Sequence, residues 1–147
     1  MSDTLSIRIT REQDYRFTVD FGEAFAALSA DLPPPLGQAD GPSPEHLLAA
    51  AVANCLSASL VFALRKFKQE PGKMETVVTC TTGRNEQNRI RVTGMEAVLN
   101  LGCPAEGLEH LERVLGQFED FCTVSQSVQS GIPLTIHVED STGKRLK

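Results

Sequence analysis

Residues 41–68, GPSPEHLLAAAVANCLSASLVFALRKFK, form the longest apolar run in the chain and constrain most tightly what it can fold into. Ser43 is suited to cap a helix, Pro44 to take its first position, and Glu45 to meet the orphan N–H groups of its first turn. Leu48, Val52, Cys55, Leu56, Ser59 and Ala63 recur at spacings of three and four, while Ala49, Ala53, Val61 and Phe62 make the other faces apolar too. A helix apolar most of the way round is expected to be buried. Charge returns at Arg65, Lys66 and Lys68, and Pro71-Gly72 ends the element. At 1.5 Å per residue this is a rod of roughly 40 Å, so the rest of the chain is expected to wrap it. Cys55 sits near its midpoint.

A chain of 147 residues predicts a single domain over residues 1–147, of α+β class, with antiparallel sheets around a long buried central helix. The net charge of −5 is spread without a basic run, which argues against nucleic acid or an anionic membrane as partner and for a small-molecule site. No charged segment followed by an apolar stretch opens the chain, and Ser, Asn and His interrupt the long helix. Neither a signal peptide nor a membrane span is expected, and the cytoplasm is the expected location. Cys55, Cys80, Cys103 and Cys122 lie far apart, with no C-x-x-C and no His at ligand spacing, so neither a metal nor a cofactor is expected. In a reducing compartment most such thiols are small buried hydrophobes, the reading given to Cys80 and Cys103.

Alternation at Leu5, Ile7 and Ile9, and again over residues 15–21, predicts an N-terminal hairpin of half-buried strands turning at Gln13-Asp14. Residues 22–41, with Pro33-Pro34-Pro35, read as a long ordered loop with a short strand near residues 26–28. Residues 74–82 and 89–101 read as two long strands, with Gly94 marking a bulge. A helix over 104–118, a short helix over 122–130 and a strand over 132–138 follow. The polar tail 139–147 is expected to fray.

Two cysteines stand out by context. Cys55 lies in an apolar helix, where a thiol stays inert unless a cation reaches it. Cys122 follows Phe118-Glu119-Asp120-Phe121 at a helix start, where the dipole favours thiolate and Ser125 and Ser127 are expected to keep the surroundings polar. His46, His110 and His137 are too scattered to suggest a triad or a metal site. Phe62 and Phe67 read as core or pocket wall.

The run from Pro44 and Glu45 through Leu47-Leu48-Ala49-Ala50 to Cys55, followed by Cys122-Thr123-Val124-Ser125, resembles the OsmC/Ohr family of osmotically inducible and organic-hydroperoxide-resistance proteins. That family pairs a P-E-x-L-x-A-A…C helix with a later C-P-V-S, and its element order fits nearly the whole chain. The resemblance implies an OsmC-like fold, an intertwined homodimer, and thiol-dependent reduction of organic hydroperoxides without a cofactor. By motif, Cys55 would attack the peroxide, Cys122 would resolve, and Glu45 would position an activating arginine; the reductant would be an external dithiol, typically of lipoyl type. Two positions depart from the pattern: Thr123 replaces the proline, and residues 22–41 hold no arginine. Arg16, Arg11 and Arg8 are left to activate Cys55, and Arg16 is preferred because it falls on the opposite strand face from Tyr15 and Phe17.

Glu45 and Cys55 are roughly 15 Å apart along one helix, too far for one arginine to serve both. Two antiparallel helices crossing near Ala50, where alanines permit close approach, would bring residue 45 of one level with residue 55 of the other. The alternatives are a non-catalytic dimer that binds a small apolar ligand and a dimer whose cysteines are purely structural.

Overall fold

The computed structural model describes residues 2–147. It divides into two compact units, residues 1–48 and 49–147. In the first, β1 (Arg8–Gln13) and β2 (Arg16–Asp20) form an antiparallel hairpin, and β3 (Leu28–Ala30) pairs antiparallel with β2. The turn falls at Asp14-Tyr15, with Asp14 at φ 46, and β1 starts later than the alternation of Leu5, Ile7 and Ile9 suggests. The strand is exposed throughout, so it is not the half-buried strand expected.

The proline-rich loop is ordered by one carboxylate. Asp31, nearly buried, accepts from the backbone N–H groups of Leu32, Gln38 and Asp40 at 2.8, 3.0 and 3.1 Å. These bonds, first among them the one from Asp40, hold its pKa below the usual carboxylate value. Gly37 closes against the same loop: a Cβ there would stand 2.1 Å from the carbonyl oxygen of Leu32.

The long apolar run becomes α1 (Pro44–Arg65), which begins in the first unit. Ser43 Oγ accepts from His46 N–H at 3.4 Å, and His46 Nδ1 accepts from Ser43 N–H at 3.1 Å. This is a reciprocal capping box with histidine where glutamate or glutamine usually stands. Val52, Leu56, Ser59, Leu60, Ala63 and Leu64 are buried, whereas Ala50, Ala51, Asn54, Ala58 and Phe62 are exposed. The helix is therefore covered on one face only, not all round as its composition suggests. By length and composition alone it could cross a membrane, with a mean hydropathy of 2.1, and a third of that window is buried.

In the second unit, β4 (Glu75–Arg84) pairs antiparallel with β5 (Ile90–Asn100). Thr81 faces Gly94 and Thr82 faces Val92, so Thr93 is the extra residue of a bulge beside the glycine. Met95, Ala97, Leu99 and Leu101 alternate into the core with Val114, Phe118 and Val138. Ser57 Oγ, bonded to Ala53 O, lies 2.6 Å from Thr76 Oγ1 and ties α1 to β4. The last strand, β6 (Leu134–Glu139), runs parallel to β5, against the expectation of antiparallel pairing throughout. The helical segment between them supplies the crossover that a parallel pair needs.

The helix expected over 104–118 is broken. A 3-10 turn at Ala105–Gly107 is separated from α2 (Leu111–Gln117) by His110 at φ 56. Gln69 holds the backbone there in place of a helical turn: its Nε2 donates to Glu109 O at 2.7 Å and its Oε1 accepts from Glu109 N–H at 2.8 Å. Phe67 stacks on the His110 ring at 4.7 Å. A 3-10 segment, Phe118–Phe121, leads into α3 (Thr123–Val128).

The tail does not fray. Asp140, nearly buried, accepts from Ala105 N, Thr142 N, Thr142 Oγ1 and Lys144 N, and Leu146 N–H donates to Val138 O at 2.7 Å. Lys147 Nζ reaches Leu115 O and the Glu119 carboxylate.

Candidate active site

Cys55 lies on α1 and Cys122 at the N-cap of α3, both in the second unit. Two successive amides of α3 address the two sulfurs. Val124 N–H donates to Cys55 Sγ at 3.5 Å, and Ser125 N–H donates to Cys122 Sγ at 3.4 Å. The two thiols, far apart in the chain, are thereby set side by side against one helical turn.

Their surroundings differ. Cys55 is half-buried, whereas Cys122 is 0% exposed. Burial pushes the Cys122 thiol up; hydrogen bonding from Ser125 opposes this, and the Cys55 sulfur pushes it up further. The expectation of a polar setting that favours thiolate at Cys122 is therefore reversed. Ser125 is itself buried and bonds back to Cys122 O, and Ser127 is spent on Thr123 O, so neither hydroxyl brings water to the thiol. No lysine or arginine of the second unit hydrogen-bonds either sulfur among the described residues.

The remaining candidates lie in the first unit. Arg16 NH1 bonds Asp40 Oδ2 at 3.3 Å, while Tyr15 and Phe17, on the other face of the hairpin, line an apolar cleft of about 380 Å³ with Ile9, Val19, Leu32 and Leu47. Arg11 Nε donates to Asp14 O at 2.9 Å. Glu45 is half-buried in the first turn of α1 and makes no ion pair among the described residues. Cys80, on β4, and Cys103, whose Sγ lies 3.9 Å from Glu70 O, stand outside the thiol pair. No cluster of metal-ligating side chains occurs among the described residues.

Sequence reasoning missed the flank of the pair. Phe62, read as core or pocket wall, is 52% exposed, and its ring packs edge-on to Phe121 at 5.2 Å, with Lys66 above both. The signal was available: residues 55, 62 and 66 are spaced by seven and eleven and share one helix face.

The chain thus has an α+β fold that sets a cysteine of a long helix against a second thiol at the start of a short one. Residues 37–137 match the OsmC-like protein family, and the chain belongs to it. No curated protein matches the sequence. Among solved structures, the chain is similar to a putative osmotic stress induced and detoxification response protein from Psychrobacter arcticus, with 17% identity, TM-score 0.77, and 95% of this chain and 98% of that one covered. It is also similar to an organic hydroperoxide resistance protein from Elizabethkingia anophelis, with 19% identity, TM-score 0.73, and 96% and 100% covered. The organic hydroperoxide resistance protein OhrB of Bacillus subtilis matches with 17% identity, TM-score 0.69, and 93% and 98% covered. At these identities the likeness establishes the fold.

Proposed function

We propose that this protein is a thiol-dependent peroxidase that reduces organic hydroperoxides with Cys55 as the attacking and Cys122 as the resolving cysteine. The juxtaposition of the two sulfurs on neighbouring amides of α3 carries the reading. Burial divides the roles: half-buried Cys55 is open to a substrate, whereas fully buried Cys122, its thiol pushed up, is held protonated until needed. The Cys55 thiolate attacks the terminal peroxide oxygen, the O–O bond breaks, and the departing alkoxide takes a proton to become the alcohol. Sulfur is oxidised by two electrons to the sulfenic acid. Cys122 then attacks that sulfur, gives up its proton, and expels water as the disulfide forms. An external dithiol, of lipoyl type in this proposal, reduces the disulfide by two exchanges and is itself oxidised to a disulfide.

The working unit in this reading is a cytoplasmic homodimer. The bare alanine face of α1 at Ala50 and Ala51 supports a close helix crossing, which would set Glu45 of one protomer level with Cys55 of its partner. Arg16, held by Asp40 in the isolated chain, would be handed to the thiol in the dimer, steadied by Glu45. The test is consumption of cumene hydroperoxide with a dithiol as electron donor. Wild type should turn over, and Cys55→Ser and Glu45→Ala should each be inactive. Refolding the two variants together should restore about one site per heterodimer, and failure of the mixture would remove the shared site. Absence of wild-type turnover would remove the peroxidase.

The apolar cleft of the first unit favours a second reading, a non-catalytic dimer that binds a small apolar ligand. Displacement of an environment-sensitive dye by alkanes or alkyl alcohols, together with no peroxide consumption, would select it.

A further inference from the structure

One ammonium ties the turn that carries Cys122 to the core of the second unit. Lys147 lies in the tail after β6, and its backbone is fixed there: its N–H donates to Val138 O and its carbonyl accepts from Val138 N–H, each at 3.2 Å. Val138 is fully buried. From that anchor the side chain reaches α2 and the 3-10 segment Phe118–Phe121 together. Its Nζ donates to Leu115 O at 2.9 Å, pairs with the Glu119 carboxylate, and lies 5.3 Å from the centroid of the Phe118 ring. Two oxygens and a ring face thus give the three donors of the ammonium three partners. Among the described residues no other lysine forms an ion pair.

Glu119 passes this hold on to the thiol. Its backbone carbonyl accepts from Cys122 N–H at 3.0 Å and from Gln126 Nε2 at 3.1 Å, so one residue joins the turn both to the N-cap of α3 and to the body of that helix. Gln126 N–H donates in turn to Cys122 O at 3.1 Å. The path from Lys147 to Cys122 therefore runs through the carboxylate and the carbonyl of a single residue. Cys55 stands outside it, on α1.

We propose that Lys147 is a positioning residue for the resolving step: through Glu119 it holds the turn that carries Cys122, and so sets how fast the Cys122 sulfur closes on Cys55. The proposal rests on the reading of Cys122 as the resolving cysteine. In that step the Cys122 thiolate attacks the sulfenic sulfur of Cys55, the S–S bond forms, the S–O bond breaks, and the departing hydroxide takes a proton to become water. The attacking sulfur has to stand in line with the bond that breaks, and a turn free to shift by about 1 Å loses much of that alignment. The attack of Cys55 on peroxide asks nothing of the turn. Loss of Lys147 therefore slows the second step and spares the first.

The experiment separates the two steps with 5,5′-dithiobis(2-nitrobenzoate), followed by stopped flow in a Cys80→Ser, Cys103→Ser background. Cys55 attacks the reagent and releases one thionitrobenzoate; Cys122 then attacks the Cys55 sulfur of the mixed disulfide and expels the second. Lys147→Gln should slow the second phase about five- to tenfold and leave the first unchanged, and Lys147→Arg should restore it. Glu119→Gln should slow the same phase, and the double variant should be no slower than either single one, since both break one path. With cumene hydroperoxide, the concentration that converts half of Cys55 to sulfinic acid should fall by the same factor, because a sulfenic acid left waiting meets a second peroxide. Both phases unchanged, both slowed in proportion, slowing that multiplies fully in the double variant, or a wild type that never releases the second thionitrobenzoate would overturn the proposal. If wild type consumes no cumene hydroperoxide, the peroxidase reading fails, and the two-phase comparison alone decides the role of Lys147: a selectively slowed second phase upholds it, and an unchanged one overturns it.

Discussion

Oxidising the thiol pair should stabilise the protein by an amount that follows from its topology. A Cys55–Cys122 disulfide closes a loop of roughly seventy residues, and in the chain-entropy account a loop of that length removes about 4 kcal/mol of unfolded-state freedom. Native strain subtracts from this figure. Little is expected, because the two sulfurs already lie against consecutive amides of α3, and Cys122 is packed on all sides. For a chain of this size about 4 kcal/mol corresponds to a rise in Tm of roughly 10 °C. The assay treats reduced protein with one equivalent of cumene hydroperoxide and follows thermal unfolding by calorimetry at matched protein concentration. Non-reduced peptide mapping identifies the bond. Cys122→Ser, treated alike, should show no rise and should stop at the Cys55 sulfenic acid, which a second equivalent should carry onward to sulfinic acid, since no thiol remains to intercept it. A fall in Tm on oxidation, or linkages only through Cys80 or Cys103, would refute the reasoning.

Arg16→Ala should slow peroxide reduction at least tenfold while changing stability by less than about 1 kcal/mol, because the Arg16–Asp40 pair is solvent-exposed; a loss on Arg11→Ala instead would move the role to Arg11. His46→Ala should cost about 1 kcal/mol by opening the capping box, and His46→Gln should recover most of it, both read from urea midpoints. Asp140 has its pKa lowered to about 2, chiefly by Thr142 and the Ala105 N–H, so the folded state binds fewer protons than the unfolded state near that range. Its contribution is complete above the ordinary carboxylate pKa of about 4 and is lost as pH falls toward 2. Asp140→Asn should be less stable at neutral pH and show a shallower acid decline in urea titrations.

What the sequence disclosed was what neighbours in the chain decide. Ser43, Pro44 and the apolar spacing are enough to start α1 and keep it going. Features set by distant partners were not legible. The helical spacing of Leu108, Leu111 and Leu115 is real, yet Gln69, forty residues upstream, clamps Glu109 and forces His110 out of the helix. The tail reads as polar and loose, and Asp140 fixes it by gathering four donors. An all-round apolar helix reads as buried, but a single chain covers only one side of it. The pairing of Cys55 with Cys122 follows from no local pattern; it came from resemblance alone.

The reversal at Cys122 has a mechanistic consequence. A helix start and two nearby serines suggest a reactive thiolate, but such neighbours matter only if water and their dipoles reach the sulfur. Cys122 and Ser125 are both fully buried, and desolvation outweighs the hydrogen bonds from Ser125. A resolving thiol held in this state is a poor nucleophile toward a diffusing peroxide, which keeps it from being consumed in a competing first oxidation. In the proposed cycle its proton leaves only when a sulfenic acid forms on the adjacent sulfur and offers an electrophile within reach. In the proposed cycle, burial therefore sets the order of events: Cys55 is oxidised first because it can be reached, and Cys122 reacts second because it cannot.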